Sequence, residues 1–356
     1  MRTDPRETVT SPTRPSLPTG VATGIGSLPG LDIAEAVRTV LGETPDWPYL
    51  PELPARGPGA DMIGRTAGLL VDLPVQQWVG RWQLADRPGI DQRRISDFWR
   101  RDLDALHDIA ADHDGPLRLT CAGPWTLAAA LWRRTGGAML ADSGAVRDVS
   151  ESLAEGARRL VSEVQERLPR ATVSLQLDEP WLPAIVAGHV ATESGFDVYR
   201  PQELSVVEER LSSFIASMPV PIVVHCCAPE VPVSALRRAG ASAVSLDVTL
   251  IDVENVTQMD VLGENLEAGL GLLAGVVPST SSPVDEIESE STSDTLPGKA
   301  AADVVSDIWN RLGFSPAQLR QQVSVTPTCG LSASDFDYAR QAMYAALEAA
   351  KYLGDN

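Results

Sequence analysis

Cysteine is scarce in this chain: four residues in 356, at positions 121, 226, 227 and 329, with no regular spacing. That excludes a disulfide-stapled secreted scaffold and fits a reducing, cytoplasmic setting. Basic residues are also short: Lys and Arg number 29 against 48 Asp and Glu, a formal net charge of −19. Nucleic acids and anionic membranes are met by basic patches that replace counterions, so neither is an expected partner. Long apolar runs are missing as well. None reaches the length of a membrane span, and the N-terminus has no signal-peptide h-region. No Gly-x-Gly-x-x-Gly follows a β-like run, so nothing supports a dinucleotide fold. What remains is the composition of a globular enzyme, 44% hydrophobic, with enough aliphatic content for a sizeable core.

The chain alternates short β-like runs with longer amphipathic stretches. Strands are expected at 22–28, 117–122, 172–178, 222–227, 243–248, 268–277 and 323–328, with a weaker one near 69–71. Helical patterns fall at 95–111, 143–168, 201–218, 232–239, 303–312 and 335–353. Close to eight strand–helix units predict a single-domain α/β fold, a (βα)8 TIM barrel, over an open doubly wound sheet. Residues 1–20, rich in Pro, Thr, Ser and Arg, read as a disordered leader before a barrel spanning 21–356. Residues 281–297 are acidic and Ser/Thr-rich without apolar periodicity, and read as an exposed surface insertion.

Three of the four cysteines lie in two short stretches, Val-Val-His-Cys-Cys at 223–227 and Thr-Pro-Thr-Cys-Gly at 326–330. Alternate residues of a strand share a face, so His225 and Cys227 point one way and Cys226 the other. An imidazole and a thiolate on one face, joined by the distant Cys329, are ligands of the kind Zn²⁺ selects. Ligands drawn from separate strand ends suit a catalytic metal better than a structural one. The alternative is ordinary buried thiols, since free cysteine is among the most buried residue types. Gly26-Ser27, Asp178-Glu179-Pro180, His225, Cys227, Asp247 and Cys329 all fall at or just after the end of an expected strand. In a barrel those ends converge on one mouth.

Read together, several segments resemble the catalytic C-terminal barrel of cobalamin-independent methionine synthase. They are Ile25-Gly26-Ser27-Leu28-Pro29, Ala122-Gly123-Pro124-Trp125-Thr126, Gln176-Leu177-Asp178-Glu179-Pro180, His225-Cys226-Cys227, Val244-Ser245-Leu246-Asp247 and Pro327-Thr328-Cys329-Gly330-Leu331. The matches are collinear over about residues 20–350, and the length resembles the short, single-barrel form. The resemblance implies a zinc-dependent S-methyltransferase (5-methyltetrahydropteroyltriglutamate–homocysteine S-methyltransferase-like) that forms methionine from homocysteine. It implies His225, Cys227 and Cys329 as zinc ligands, with Asp247 where the family has a glutamate. It implies Asp178 at the substrate amino group as the catalytic-site carboxylate, Ile25 and Ser27 at the substrate's backbone end, and Glu52 as a further candidate. Asp178 also has a plainer reading, a strand-end carboxylate in a structural ion pair.

The methyl-donor half departs from the family. A glutamate expected six residues beyond Asp178 is Ala184, Trp125 and Trp132 flank the place of a stacking tryptophan, and a histidine expected within 275–280 is replaced. The expected donor is therefore methyltetrahydrofolate or a methylcorrinoid, with the folate in greater doubt. Two other readings stay open: a decarboxylase-like barrel acting on another thiol or a polycarboxylate, and a non-catalytic barrel that binds zinc or a thiol.

Overall fold

The computed structural model describes residues 16–280 and 298–355. Most of the expected leader and all of the expected acidic insertion at 281–297 lie outside the described residues. Residues 16–20, assigned to the leader, are instead docked. Leu17 packs on Trp47, Val223, Ala243 and Leu273, and the Gly20 N–H donates to the Val323 carbonyl.

The antiparallel hairpin β1 (Val75–Trp78) and β2 (Arg81–Leu84) was not anticipated. Its turn residues, Val79 and Gly80, have φ of 48° and 75°. A two-residue turn that matches strand twist needs both in the left-handed region, and for β-branched Val79 that is strained. Six parallel strands follow in sequential order: β3 (Pro116–Ala122), β4 (Thr172–Asp178), β5 (Ile222–Cys226), β6 (Ala243–Asp247), β7 (Gly271–Val277) and β8 (Val323–Pro327). Hydrogen bonding continues past both edges of this sheet. The Thr23 N–H donates to Val325 O beside β8, and the Leu50 N–H donates to Arg118 O beside β3. Between them, the Leu28 N–H donates to Glu52 O and the Glu52 N–H to Gly26 O. The result is an α/β fold with a curled parallel sheet, TIM-barrel-like.

The second edge segment is thus 48–52, not the strand expected near 69–71. Leu69 and Leu70 instead close the turn after helix Met62–Ala67, their N–H groups bonded to Thr66 O and Ala67 O. Helices cover the outside of the sheet for an ordinary reason. In helix Ser143–Arg167, Asp142 accepts from the Gly144 and Ala145 N–H groups at the start. Val146, Val149, Leu153, Ala157, Leu160 and Val164 then recur at three- and four-residue spacing on its buried face. Outward residues of the strands, such as Leu117, Val173, Val224, Val244, Leu272 and Val325, meet these helices in one apolar core. Inward residues alternate with them, and the parallel order brings all six C-terminal ends to one side. Among the described residues no helix is long and apolar enough to cross a membrane.

Candidate active site

His225, Cys227 and Cys329 come together: their ligand atoms all lie within 4.8 Å of one another. His225 is inward on β5, Cys227 follows that strand by one residue beyond its end, and Cys329 follows β8. Cys226, on the other face, is fully buried. The Cys227 and Cys329 sulfurs are 3.1 Å apart, close enough to share one proton. The bond from Cys227 holds the Cys329 thiol well below the usual thiol range, with His225 adding to the effect. The same bond, with burial, pushes Cys227 up.

His225 Nδ1 lies 3.1 Å from Ser245 Oγ, while its Nε2 is buried with no hydrogen-bond partner among the described residues. With the Nδ1 hydrogen given to Ser245, Nε2 presents a lone pair, the tautomer a metal-binding imidazole needs. A buried nitrogen without a hydrogen-bond partner among the described residues, beside two thiol sulfurs 3.1 Å apart, fits a soft or borderline cation. This donor set can hold a metal.

Asp247 does not join the group. Its Oδ1 accepts from the Thr249 N–H at 3.0 Å and from Thr249 Oγ1 at 2.5 Å, capping the 3₁₀ turn Val248–Leu250. That oxygen caps the turn in this arrangement. The Asp-x-Thr sequence at the end of a strand carried that signal.

Asp178 ends β4, 7% exposed, in register with His225. Burial pushes its carboxyl up to about 7, countered by His225 and by a 2.7 Å bond from Gln176 Nε2. Glu52 is buried and accepts from Thr120 Oγ1 at 2.9 Å. Burial raises its pKa too, against the pull of Arg65, which is itself paired to Asp102. Ser27 and Glu52 form a backbone bridge, and Ser27 Oγ donates to Ser332 Oγ at 3.2 Å. Gly330 lies so close that a Cβ there would collide with Ser27 Oγ, which keeps the Cys329 turn against the first segment. The buried Ile25 offers its carbonyl to Gln176. Two buried carboxylates, a backbone carbonyl and a hydroxyl therefore gather at the strand ends beside the thiol pair.

Glu179, which the sequence places in the Asp178-Glu179-Pro180 segment without a role of its own, has a structural one. Its carboxylate accepts from the Trp125 and Thr126 N–H groups at 3.0 and 2.7 Å, at the start of helix Pro124–Ala130. It ties β4 to that helix, and burial pushes its carboxyl up to about 7 despite these bonds.

A cleft of about 830 Å³ has walls that include Pro54, Asp61, Trp82, Trp132, Trp181 and Ala184. The thiol pair does not line it. Asp178 and Glu52 do not line it either; its lining includes Asp61, whose charge acts on Glu52, and Trp181 and Ala184, which follow Asp178 in the sequence. The Arg81 guanidinium lies 4.0 Å over the Trp132 ring. Trp125, by contrast, is sealed in the core and donates to Val207 O. The tryptophans of the cleft are Trp82, Trp132 and Trp181, two of them unread in the sequence.

No curated protein matches the chain. Among solved structures, a B12-independent methionine synthase from Shewanella sp. W3-18-1, in complex with selenomethionine, superposes with a TM-score of 0.59 at 13% identity. That match covers 95% of this chain and 98% of the other, and it bears on the fold alone. Mandelate oxidase with benzoyl-formic acid gives a TM-score of 0.30 at 18% identity over 84% of this chain and 86% of the other, too distant to carry an argument. The family model for the catalytic domain of cobalamin-independent synthase matches residues 131–352, well over half the chain. The chain belongs to the cobalamin-independent synthase family, and as such is an enzyme of the methyltransferase class.

Proposed function

We propose that this enzyme transfers a methyl group to the thiol of homocysteine to form methionine, with Zn²⁺ held by His225, Cys227 and Cys329. One observation carries the reading: three soft or borderline ligand atoms within 4.8 Å, with a buried imidazole nitrogen among them that has no other partner. When bound, Zn²⁺ supplies the acidity that converts a coordinated thiol to thiolate at neutral pH. The protein's own residues do the rest. Asp178 and Glu52, both buried, attract the substrate ammonium in a medium of low dielectric, where a charge pair is worth more than in water. Ile25 and Ser27 hold the backbone end of the amino acid. The substrate thiol would join these three residues at the metal, while Asp247, which stands where the family has a glutamate, is bonded through Oδ1 to Thr249.

The cleft lined by Trp181 and Ala184 takes the methyl donor, methyltetrahydrofolate or a methylcorrinoid. Its indole walls favour a flat ring, while Ala184 in place of a carboxylate removes a polar handle for folate. The six strands and the two edge segments are read as one closed eight-position barrel and a single domain. The continuous hydrogen bonding from β8 through residues 20–28 and 48–52 to β3 supports this.

X-ray absorption at the zinc edge of the metal-loaded protein tests the acceptor: homocysteine should add one sulfur to the shell. An unchanged shell rejects homocysteine as the thiol. Methionine formation from methyltetrahydrofolate, its triglutamate and methylcobalamin then identifies the donor. The triglutamate is expected to give no advantage on a chain of net charge −19.

A further inference from the structure

Gln176 is inward on β4 and fully buried. Its Nε2 donates twice, to the Ile25 carbonyl at 2.9 Å and to Asp178 Oδ1 at 2.7 Å. Both amide hydrogens are used, and because both acceptors are oxygens the amide has a single orientation. Its Oε1 is buried without a partner among the described residues, so no other bond competes for the head group. The two groups it ties are not neighbours in the sheet. β4 pairs with β3 and β5, whereas residues 20–28 bond to β8 and to residues 48–52. Gln176 is therefore a strut across the inside of the sheet, joining strand positions that no backbone ladder connects.

We infer that Gln176 is a positioning residue that sets which thiol the site accepts. It fixes the Asp178 carboxylate relative to the Ile25 carbonyl, and so fixes how far the substrate ammonium stands from the metal-held sulfur. This rests on the homocysteine reading above. Homocysteine and cysteine differ by one methylene between those two groups. A carboxylate free to swing would serve either, and a carboxylate braced at one spot serves one. Gln176 does not itself touch the substrate; it acts through Asp178.

The variants that test it are Gln176→Met, which keeps most of the volume and removes both bonds, and Gln176→Glu. The second keeps the shape but sets an acceptor against two acceptors, and it stands in if the first fails to fold. Binding of L-homocysteine and L-cysteine to the zinc-loaded proteins is measured by calorimetry, with zinc content as a control. Zinc stoichiometry should stay at the wild-type value. Homocysteine affinity should fall about tenfold or more, the effect of losing a hydrogen bond to a charged group. Cysteine affinity should change little, so the preference for homocysteine narrows by about the same factor. Adding Gln176→Met to Asp178→Asn should cost less than about threefold further, because the residue through which it acts is already altered. Unchanged selectivity in a folded variant, or a full penalty retained on the Asp178→Asn background, overturns the inference while leaving the functional reading intact. Failure of the wild type to bind homocysteine overturns both.

Discussion

On β4, Val173, Leu175 and Leu177 face outward into the apolar core, while Ser174, Gln176 and Asp178 face inward. On β8 the contrast is Val323 and Val325 against Ser324 and Thr326. The inner face of a sheet curled as in a TIM barrel is usually filled by layers of Val, Ile and Leu. Here the apolar filling is a small cluster of Trp47, Val223, Ala243 and Leu273 near the strand starts. Above it stand buried polar atoms without partners among the described residues: Arg118 Nε and Nη1, Gln176 Oε1, Thr326 Oγ1 and His225 Nε2. Burying such atoms costs stability, which the outward face offsets. A period of two lets one strand hold both tasks, so stability and chemistry can be altered separately.

The largest test of that separation is at the thiols. Cys329→Ser should lose the metal, with a loss of affinity greater than the roughly 10–100-fold typical of an outer-shell partner. Cys226→Ala, on the outward face, should keep the full metal content by elemental analysis; an equal loss in both would break the comparison. Next in size is a pair on β4. Leu175→Ala should cost about 2–5 kcal/mol in urea unfolding, as deletions of buried leucine do, with metal content unchanged. Asp178→Asn should do the reverse, weakening homocysteine about tenfold or more with little loss of stability. A large stability loss in Asp178→Asn would show that the inward face is structural after all.

The smallest effect concerns Glu52, whose carboxyl is raised above 4.5 chiefly by burial. A raised value means the native state holds the proton more tightly than the unfolded chain. Its contribution is complete below the ordinary value and is lost as pH rises through the raised one. Binding of the substrate ammonium needs the ionised form and should strengthen over the same window. Urea midpoints across that window should therefore fall with pH in the wild type and fall less in Glu52→Gln. Parallel slopes would remove Glu52 from the account.

Much of this was legible because the inward and outward patterns are printed in the chain. The apolar runs of β4, β5, β6 and β8 placed those strands to within one residue and β7 three residues early, and strand parity separated Cys227 from Cys226. The second edge segment was masked by Pro48, Pro51 and Pro54, which break the pattern of a strand held only by isolated bridges. Leu69–Val71 imitated it with three apolar residues, of which Leu69 and Leu70 in fact close a turn. The hairpin carries Val79-Gly80 where Asn-Gly would have announced it. The cleft was hidden for a different reason. Trp181 and residues 189–199 are held by tertiary contacts in short or irregular segments, and no periodicity marks which aromatic side chains converge there.

Cys227 and Cys329 are separated by 102 residues. During synthesis the first two ligands leave the ribosome long before the third, and the group exists only once β8 has docked. In a zinc finger, closely spaced ligands make metal uptake and folding one event. Here a cation that needs all three residues can be held only after β8 has docked, so its uptake should follow the assembly of the sheet. It then adds stability only by mass action. A chelator should accordingly return an intact apoprotein, ready for reloading, rather than an unfolded chain.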